Sequence, residues 1–420
     1  MRLAFLFSLA ASLALAQTAP VPNEEQDLQA ALAEAGNSAV EYVRALEKHL
    51  KKYPNASRRP EMERILLQAA VDTKDRARIL KYGPPVIDRG LRESLYLDHV
   101  TRALLDQNDA AQSEKALAFA RYLEQAVRQQ LESLTGAEGA STTGRGRKLD
   151  DLQRTLGRAH AFQARALGNL GKSAEAVTEA RKAFDVYPSA ESARELARWL
   201  EKSGDLGAAI AALADAFTVS DTKNDDATRR RDRERLREWH QRWKNSEQGL
   251  GDILLASIDR TSRLTEAWDK RLREFDPNSF AVLPSEFTLT AIDGAKLALA
   301  SLKGKVVVLD FWATWCGPCR AQYPLYEQVK QRFKDRKDVV LLAVSTDEER
   351  EAVAPFLKAN KWNKQVYFDD GLAGSLRVSS IPTTMILNRE GVIVSRMNGF
   401  IPDRFVEMLS ARIEDALAEK

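Results

Sequence analysis

Cysteine is nearly absent: Cys316 and Cys319 are the only two in 420 residues. A disulfide-stapled scaffold is therefore excluded, and so is a four-cysteine zinc site. Histidine is as scarce. The four residues at 49, 99, 160 and 240 all precede the cysteine pair by a long stretch of chain, so the pair has no local partners for a metal site. An excess of one charge is also missing. The 63 Lys and Arg against 60 Asp and Glu give a net charge of +3, which supports neither nucleic-acid binding nor attraction to an anionic membrane. Beyond the N-terminus no apolar run approaches the roughly 20 residues a membrane span needs. What is present is an ordinary globular composition, 44% hydrophobic and 29% charged, in a chain long enough for two or three domains.

The N-terminus is distinctive. Arg2 precedes a short apolar run from Leu3 to Leu15, and Ala14-Leu15-Ala16 supplies small residues for signal peptidase. This pattern predicts a signal peptide over residues 1–16, cleaved before Gln17, and an exported protein, periplasmic if the source is Gram-negative. A buried N-terminal helix is the plainer alternative, and it explains the flanks less well. No cysteine follows the run, which argues against a lipid anchor on cysteine.

From residue 23 to 275 the chain is rich in Ala, Leu, Glu and Arg, with apolar residues at three- and four-residue spacing. Turn signals are expected to break it at Tyr53-Pro54, Tyr82-Gly83-Pro84-Pro85, Tyr187-Pro188 and Ser203-Gly204-Asp205, and residues 136–147 read as a flexible loop. Gly171, Ala176, Ala183 and Phe184 recur as Gly204, Ala209, Ala216 and Phe217, each offset by 33 residues. This pattern resembles tetratricopeptide repeats, whose period is about 34. The resemblance implies stacked helix pairs able to hold a protein partner, or a plain spacer or dimerisation scaffold. The charged segment 222–247 mixes both signs and reads as a solvated helix, with Trp239 and Trp243 as packing anchors.

Near residue 280 the periodicity changes. Residues 305–311 and 339–345 read as buried strands, 383–387 and 392–395 as a hairpin, and 318–334, 348–360 and 405–417 as helices, together a mixed α/β domain over 280–420. Cys316 falls between a strand and a helix, where exposed N–H groups and the helix dipole stabilise a thiolate. Cys319 lies one helical turn on. Pro318 suits the first turn of a helix. Cys316 is thus expected to be the attacking thiolate and Cys319 the more buried resolving thiol. A structural disulfide across so short a loop would constrain little chain entropy.

Phe311-Trp312-Ala313-Thr314-Trp315-Cys316-Gly317-Pro318-Cys319 resembles the thioredoxin active-site run. The resemblance implies a thioredoxin fold and no cofactor. It also implies a proton-relay role for Asp310, six residues before Cys316, and a cis peptide before Pro382 in Ile381-Pro382-Thr383. Trp315, Gly317, Pro318, Ile381 and Pro382 would then form the substrate-facing surface. The leader Ser285–Leu289, the Asp293-Gly294 turn and residues 301–308 are similar to those of TlpA/ResA/CcmG-type proteins, as are 344–347 and the segment 348–364. Those relatives imply reduction of a disulfide-containing client protein, with a separate membrane or soluble electron donor. Dedicated service in cytochrome c maturation or other extracytoplasmic assembly is the narrower alternative. Peroxiredoxins place Pro and Thr where this chain has Leu309 and Ala313, so peroxidase chemistry is not expected. The chain therefore reads as multidomain, with an all-α, tetratricopeptide-like domain followed by an α/β thioredoxin-fold domain.

Overall fold

The computed structural model describes residues 22–136, 144–221 and 224–419. The predicted signal peptide lies outside them. Among the described residues no helix is long and apolar enough to cross a membrane. Two compact units are distinct: the chain up to Gln129 with Arg154–Thr261, and Gln130–Gln153 with the chain from Ser262 onward.

The helices of the N-terminal two-thirds are α1 (Pro22–Ala35), α2 (Ala39–Lys52), α3 (Arg59–Thr73), α4 (Arg76–Asp88), α5 (Ser94–Leu105) and α6 (Ala110–Gly136). There follow α7 (Arg145–Asn169), α8 (Ser173–Val186), α9 (Ala190–Lys202), α10 (Leu206–Thr218), α11 (Asp226–Lys244) and α12 (Leu250–Phe275). Several begin where a short polar side chain accepts an otherwise unpaired backbone N–H: Ser38, Asp75, Ser189, Asp205 and Asp225. The 33-residue repeat has a structural meaning. Gly171 and Gly204 both take positive φ in the turns before α8 and α10, a conformation glycine adopts without steric cost. Ala176, Ala183, Ala209 and Ala216 are all fully buried, so methyl-sized side chains let the helices of each pair approach closely.

Three expectations need correction. Tyr82-Gly83-Pro84-Pro85 does not break the chain but lies inside α4. Two ladder donors are forgone there, yet packing prevails. Tyr82, Val86 and Ile87 are buried, and a Cβ on Gly83 would sit 2.4 Å from a methyl of Val100. The loop expected at 136–147 is shorter than that: Gly136 ends α6, Arg145 begins α7, and residues 137–143 fall outside the described residues. Trp239 is a core anchor at 7% exposure, but Trp243 is 42% exposed and covers the backbone of Gly207.

The second unit is built on five strands in the order β5-β4-β3-β6-β7. Its elements are β3 (Val306–Trp312), α13 (Gly317–Arg332), β4 (Val339–Ser345), α14 (Val353–Ala359), β5 (Val366–Phe368), α15 (Leu372–Ser375), β6 (Thr383–Leu387), β7 (Ile393–Asn398) and α16 (Pro402–Ala418). A small hairpin, β1 (Thr288–Thr290) with β2 (Lys296–Ala298), precedes them. β3 is central, parallel to β4 and antiparallel to β6. Every residue of β3 is buried, as a strand covered on both faces requires. Val307, Leu309 and Phe311 enter one core with Leu289 and Leu372. Val306 and Val308 enter another with Tyr326 and Phe405 of the flanking helices. Asp310 lies on that second face by strand alternation. This unit also takes in 130–153 and 262–279. Asp276 accepts the Gly146 N–H at 2.9 Å, and Asn278 bonds the backbone of Thr288 and Asp370. The change of periodicity near residue 280 marks the passage from helices to the hairpin and strands.

Candidate functional site

The loop after β3 delivers the cysteines. Thr314 donates its N–H and its hydroxyl to Asp347 at 3.0 and 2.6 Å, and Ser345 supports Asp347 at 2.8 Å. Arg320 reaches back to the Thr314 carbonyl at 2.9 Å. This clamp sets where α13 begins. Cys316 is the N-cap of α13, and its sulfur accepts the Cys319 N–H at 3.1 Å. Cys316 and Cys319 are joined as a disulfide with an S–S distance of 2.01 Å. Once the bond is reduced, an N–H donor and the positive helix end both favour a Cys316 thiolate.

The expected difference in burial is absent. Cys316 is 4% and Cys319 5% exposed, because the closed disulfide holds both sulfurs against the same apolar cluster of Trp312, Ala313, Val353 and Phe368. The amide donor, not burial, distinguishes Cys316. Trp315, Gly317 and Pro318 are exposed around it, with Trp315 at 70%. Nothing lies within 4 Å of a Cβ on Gly317, so the surface next to Cys316 is uncrowded. The Ile381–Pro382 peptide is cis. Ile381 packs on the cluster that holds the cysteines, and the Pro382 carbonyl accepts the Gly399 N–H at 2.7 Å.

Asp310 is buried behind this surface. Its Oδ1 accepts Gln322 Nε2 at 2.8 Å and Thr384 Oγ1 at 3.2 Å. Gln322 is one turn beyond Cys319 on α13, so the carboxyl lies against the first turns of that helix. Burial pushes the Asp310 carboxyl up to about 6, opposed by the Lys364 charge and the two hydrogen bonds. Trp312 Nε1, Gln322 Oε1 and Tyr326 Oη are buried around it with no hydrogen-bond partner among the described residues.

Sequence reading missed Lys364. Its ammonium lies 3.7 Å from the Trp312 ring centre, 4.8 Å from Trp362 and 5.1 Å from Tyr323. Burial lowers it to about 8, against the pull of Asp310. The partners of Lys364 are scattered along the chain, and no local pattern announces them. Gln322 was findable as Cys319 plus three. Among the described residues no group of three His, Cys, Asp or Glu side chains is placed to hold a metal.

A five-stranded sheet with a cis-proline loop facing a Cys-x-x-Cys helix cap defines a thioredoxin-like dithiol–disulfide oxidoreductase domain. The AhpC/TSA family matches residues 283–396. Thiol-disulfide oxidoreductase ResA of Bacillus cereus is 34% identical over 115 residues, 27% of this chain and 66% of that protein. ResA of Bacillus subtilis is 34% identical over 122 residues, 29% and 68% of the two chains. The chain thus spans about two-thirds of these relatives and, through its C-terminal part, belongs to the ResA-type family. The crystal structure of StoA from Bacillus subtilis is 26% identical, covering 31% of this chain and 98% of that one with a TM-score of 0.28.

Proposed function

We propose that this chain is an exported thiol–disulfide oxidoreductase that reduces protein disulfides through Cys316 and Cys319. The observation that carries the reading is the Cys316 sulfur at the cap of α13, accepting the Cys319 N–H just beneath exposed Trp315, Gly317 and Pro318. In the dithiol state the Cys316 thiolate attacks a client disulfide, forming a mixed disulfide and releasing one client thiolate. Cys319 loses its proton to the Asp310 carboxylate. The Cys319 thiolate then attacks Cys316 Sγ, closing the Cys316–Cys319 disulfide and releasing the second client sulfur. Two electrons pass to the client, and a separate membrane or soluble dithiol donor restores the pair. Exposed Trp315, Gly317 and Pro318, with half-buried Ile381 and buried Pro382 behind them, form the region that receives the client. Export rests on residues 1–16, and the working division is signal peptide 1–16, helical-repeat domain 23–275 and thioredoxin-like domain 280–420.

A peroxidase reading fits less well. Leu309 and Ala313 are fully buried and apolar, so neither supplies the polar group that peroxide activation needs. A second reading, in which the helical repeats hold a dedicated client, is favoured by the helix pairs recurring every 33 residues. The test is dithiothreitol-driven insulin reduction. Wild type should catalyse it, Cys316→Ser should abolish turnover, and Cys319→Ser should accumulate mixed disulfides. Turnover retained in Cys316→Ser would overturn the assignment.

A further inference from the structure

The dithiol exchange gives no role to Asp347, a buried residue in the loop after β4. Its two carboxyl oxygens both accept the Thr314 N–H at 3.0 Å, and they also accept the Thr314 hydroxyl at 2.6 Å and the Ser345 hydroxyl at 2.8 Å. Ser345 Oγ in turn accepts the Asp347 N–H at 3.2 Å. Oxygens that only accept are the pattern of an ionised carboxyl. All of these partners are neutral, so a buried negative charge is held here by hydrogen bonds alone.

That charge is close to the attacking sulfur. Thr314 is two residues before Cys316, which spans at most about 7 Å of chain, and the Cys316 N–H turns back to the Ala313 carbonyl at 3.2 Å. The Thr314 carbonyl accepts Arg320 Nη2 at 2.9 Å and Nε at 3.2 Å. Thr314 is thus held between an acid and a base, the acid buried and the base exposed. Water and salt screen an exposed charge more than a buried one, so the Asp347 charge is the less attenuated of the two.

We propose that Asp347 is a positioning residue that also sets the redox balance of the pair: its charge opposes a thiolate on Cys316, disfavours the dithiol state and makes the pair a stronger reductant. The proposal rests on the dithiol–disulfide reading above and gives it a direction. A pair whose reduced form is stabilised is an oxidant. The helix cap and dipole push this pair that way, and Asp347 offsets them. Against glutathione, the Cys316–Cys319 disulfide and two glutathione thiols give the dithiol and glutathione disulfide. One S–S bond breaks and one forms, two electrons pass to the pair, and the two thiol protons follow, one of them released to solvent when Cys316 ionises.

The test uses the full chain. Asp347→Asn keeps an acceptor for Thr314 and presents an N–H that Ser345 Oγ can accept, so the loop is retained while the charge is lost. Thiolate absorbance of the reduced pair, titrated with pH, should show its first ionisation about one unit lower than in wild type, the scale of one charge on the order of 10 Å away inside a protein. At neutral pH the glutathione equilibrium should move severalfold toward the dithiol. Arg320→Gln should move both readings the opposite way by a smaller step. Asp310 and Lys364 are kept in both variants. A role limited to holding the loop predicts the reverse sign for Asp347→Asn, because a loosened cap takes the Cys319 N–H away from the thiolate. Ionisation unchanged or raised in Asp347→Asn, or lowered in Arg320→Gln, would overturn the proposal. Should Asp347→Asn lose its near-ultraviolet circular dichroism, Asp347→Ala with Thr314→Val decides by the same sign, since carboxylate and hydroxyl donor leave together. Both readings come from the cysteine pair without a client, so a wrong charge assignment and a failed insulin assay are told apart.

Discussion

Three buried carboxylates of the helical unit and Asp310 of the sheet unit are held by different kinds of partner. In the helical unit Glu63 meets Arg59 at 2.8 Å and also Arg89, Asp232 meets Arg194 at 2.7 Å, and Asp215 meets Arg260 at 3.1 Å. In the sheet unit Asp310 meets a carboxamide and a hydroxyl. A guanidinium beside a carboxylate favours the charged form. One given neutral partners holds a proton to a higher pH, where it can be exchanged during turnover. Ion pairs hold Glu63, Asp232 and Asp215, whereas neutral partners leave Asp310 suited to the proton transfer proposed for it.

The same substitution should therefore act with opposite sign in the two units. Asp310→Asn keeps an acceptor for Gln322 but removes the titrating group. Insulin reduction at pH 7 should fall about 100-fold, the scale of a lost general acid–base. Stability should nevertheless rise, by roughly 2 kcal/mol for a carboxyl displaced this far. Denaturant unfolding and the turnover assay, run on one preparation, separate these effects. If stability and activity fell together, Asp310 would be a structural hydrogen-bonding residue and the contrast would fail. Asp232→Asn should destabilise instead, by about 2–3 kcal/mol, because Arg194 loses its partner. Urea unfolding followed by helical circular dichroism measures it. A neutral result would show that the paired carboxylates of the helical unit matter less than their geometry suggests.

The pH dependence of stability sharpens the contrast further. Native Asp310 keeps its proton up to about pH 6, while the unfolded chain releases it near pH 4. Between these values the native state binds more protons, so its contribution to stability falls as pH rises. The sheet unit should lose about 2 kcal/mol across pH 4–6 from this residue, and Asp310→Asn should flatten that portion of the curve. An identical slope in wild type and variant would mean that Asp310 is ionised throughout.

Much of the site was legible because its signals are local. Cys316-Gly317-Pro318-Cys319 lies within one helical turn, and Asp310 is an acid inside the apolar run Val306–Trp312. The helical character of the N-terminal part was legible through apolar residues at three- and four-residue spacing. Features assembled over distance were not. The Pro84-Pro85 pair reads as a stop, but the segment is helical, with Gly83 close against Val100 and Tyr82, Val86 and Ile87 buried. Asp347 stands 33 residues from Thr314, whose N–H and hydroxyl it holds, and nothing in the spacing pairs them. The expectation that Cys319 is the more buried sulfur failed because a closed disulfide shares one environment between both atoms.

Lys364 is the finest probe of the comparison, since it is the one cation coupled to Asp310 among the causes that set the carboxyl's proton affinity. It supplies less than a guanidinium would, because aromatic rings rather than the carboxyl surround it. Its own proton is held only to about pH 8, against about 10.4 in the unfolded chain. Over that interval the unfolded state binds more protons, so this residue's contribution to stability rises with pH. In Lys364→Met the carboxyl loses its only favourable charge and should keep its proton to higher pH. The acidic limb of the insulin-reduction profile should move upward by about half a unit to one unit, with a small change in the plateau. Tryptophan fluorescence should carry a step near pH 8 in the wild type, from the ammonium over Trp312, and lose it in the variant. A profile that does not move would show that Asp310 is tuned by desolvation alone. Asp310 would then differ from Glu63, Asp232 and Asp215 in having no charged partner that sets its proton affinity.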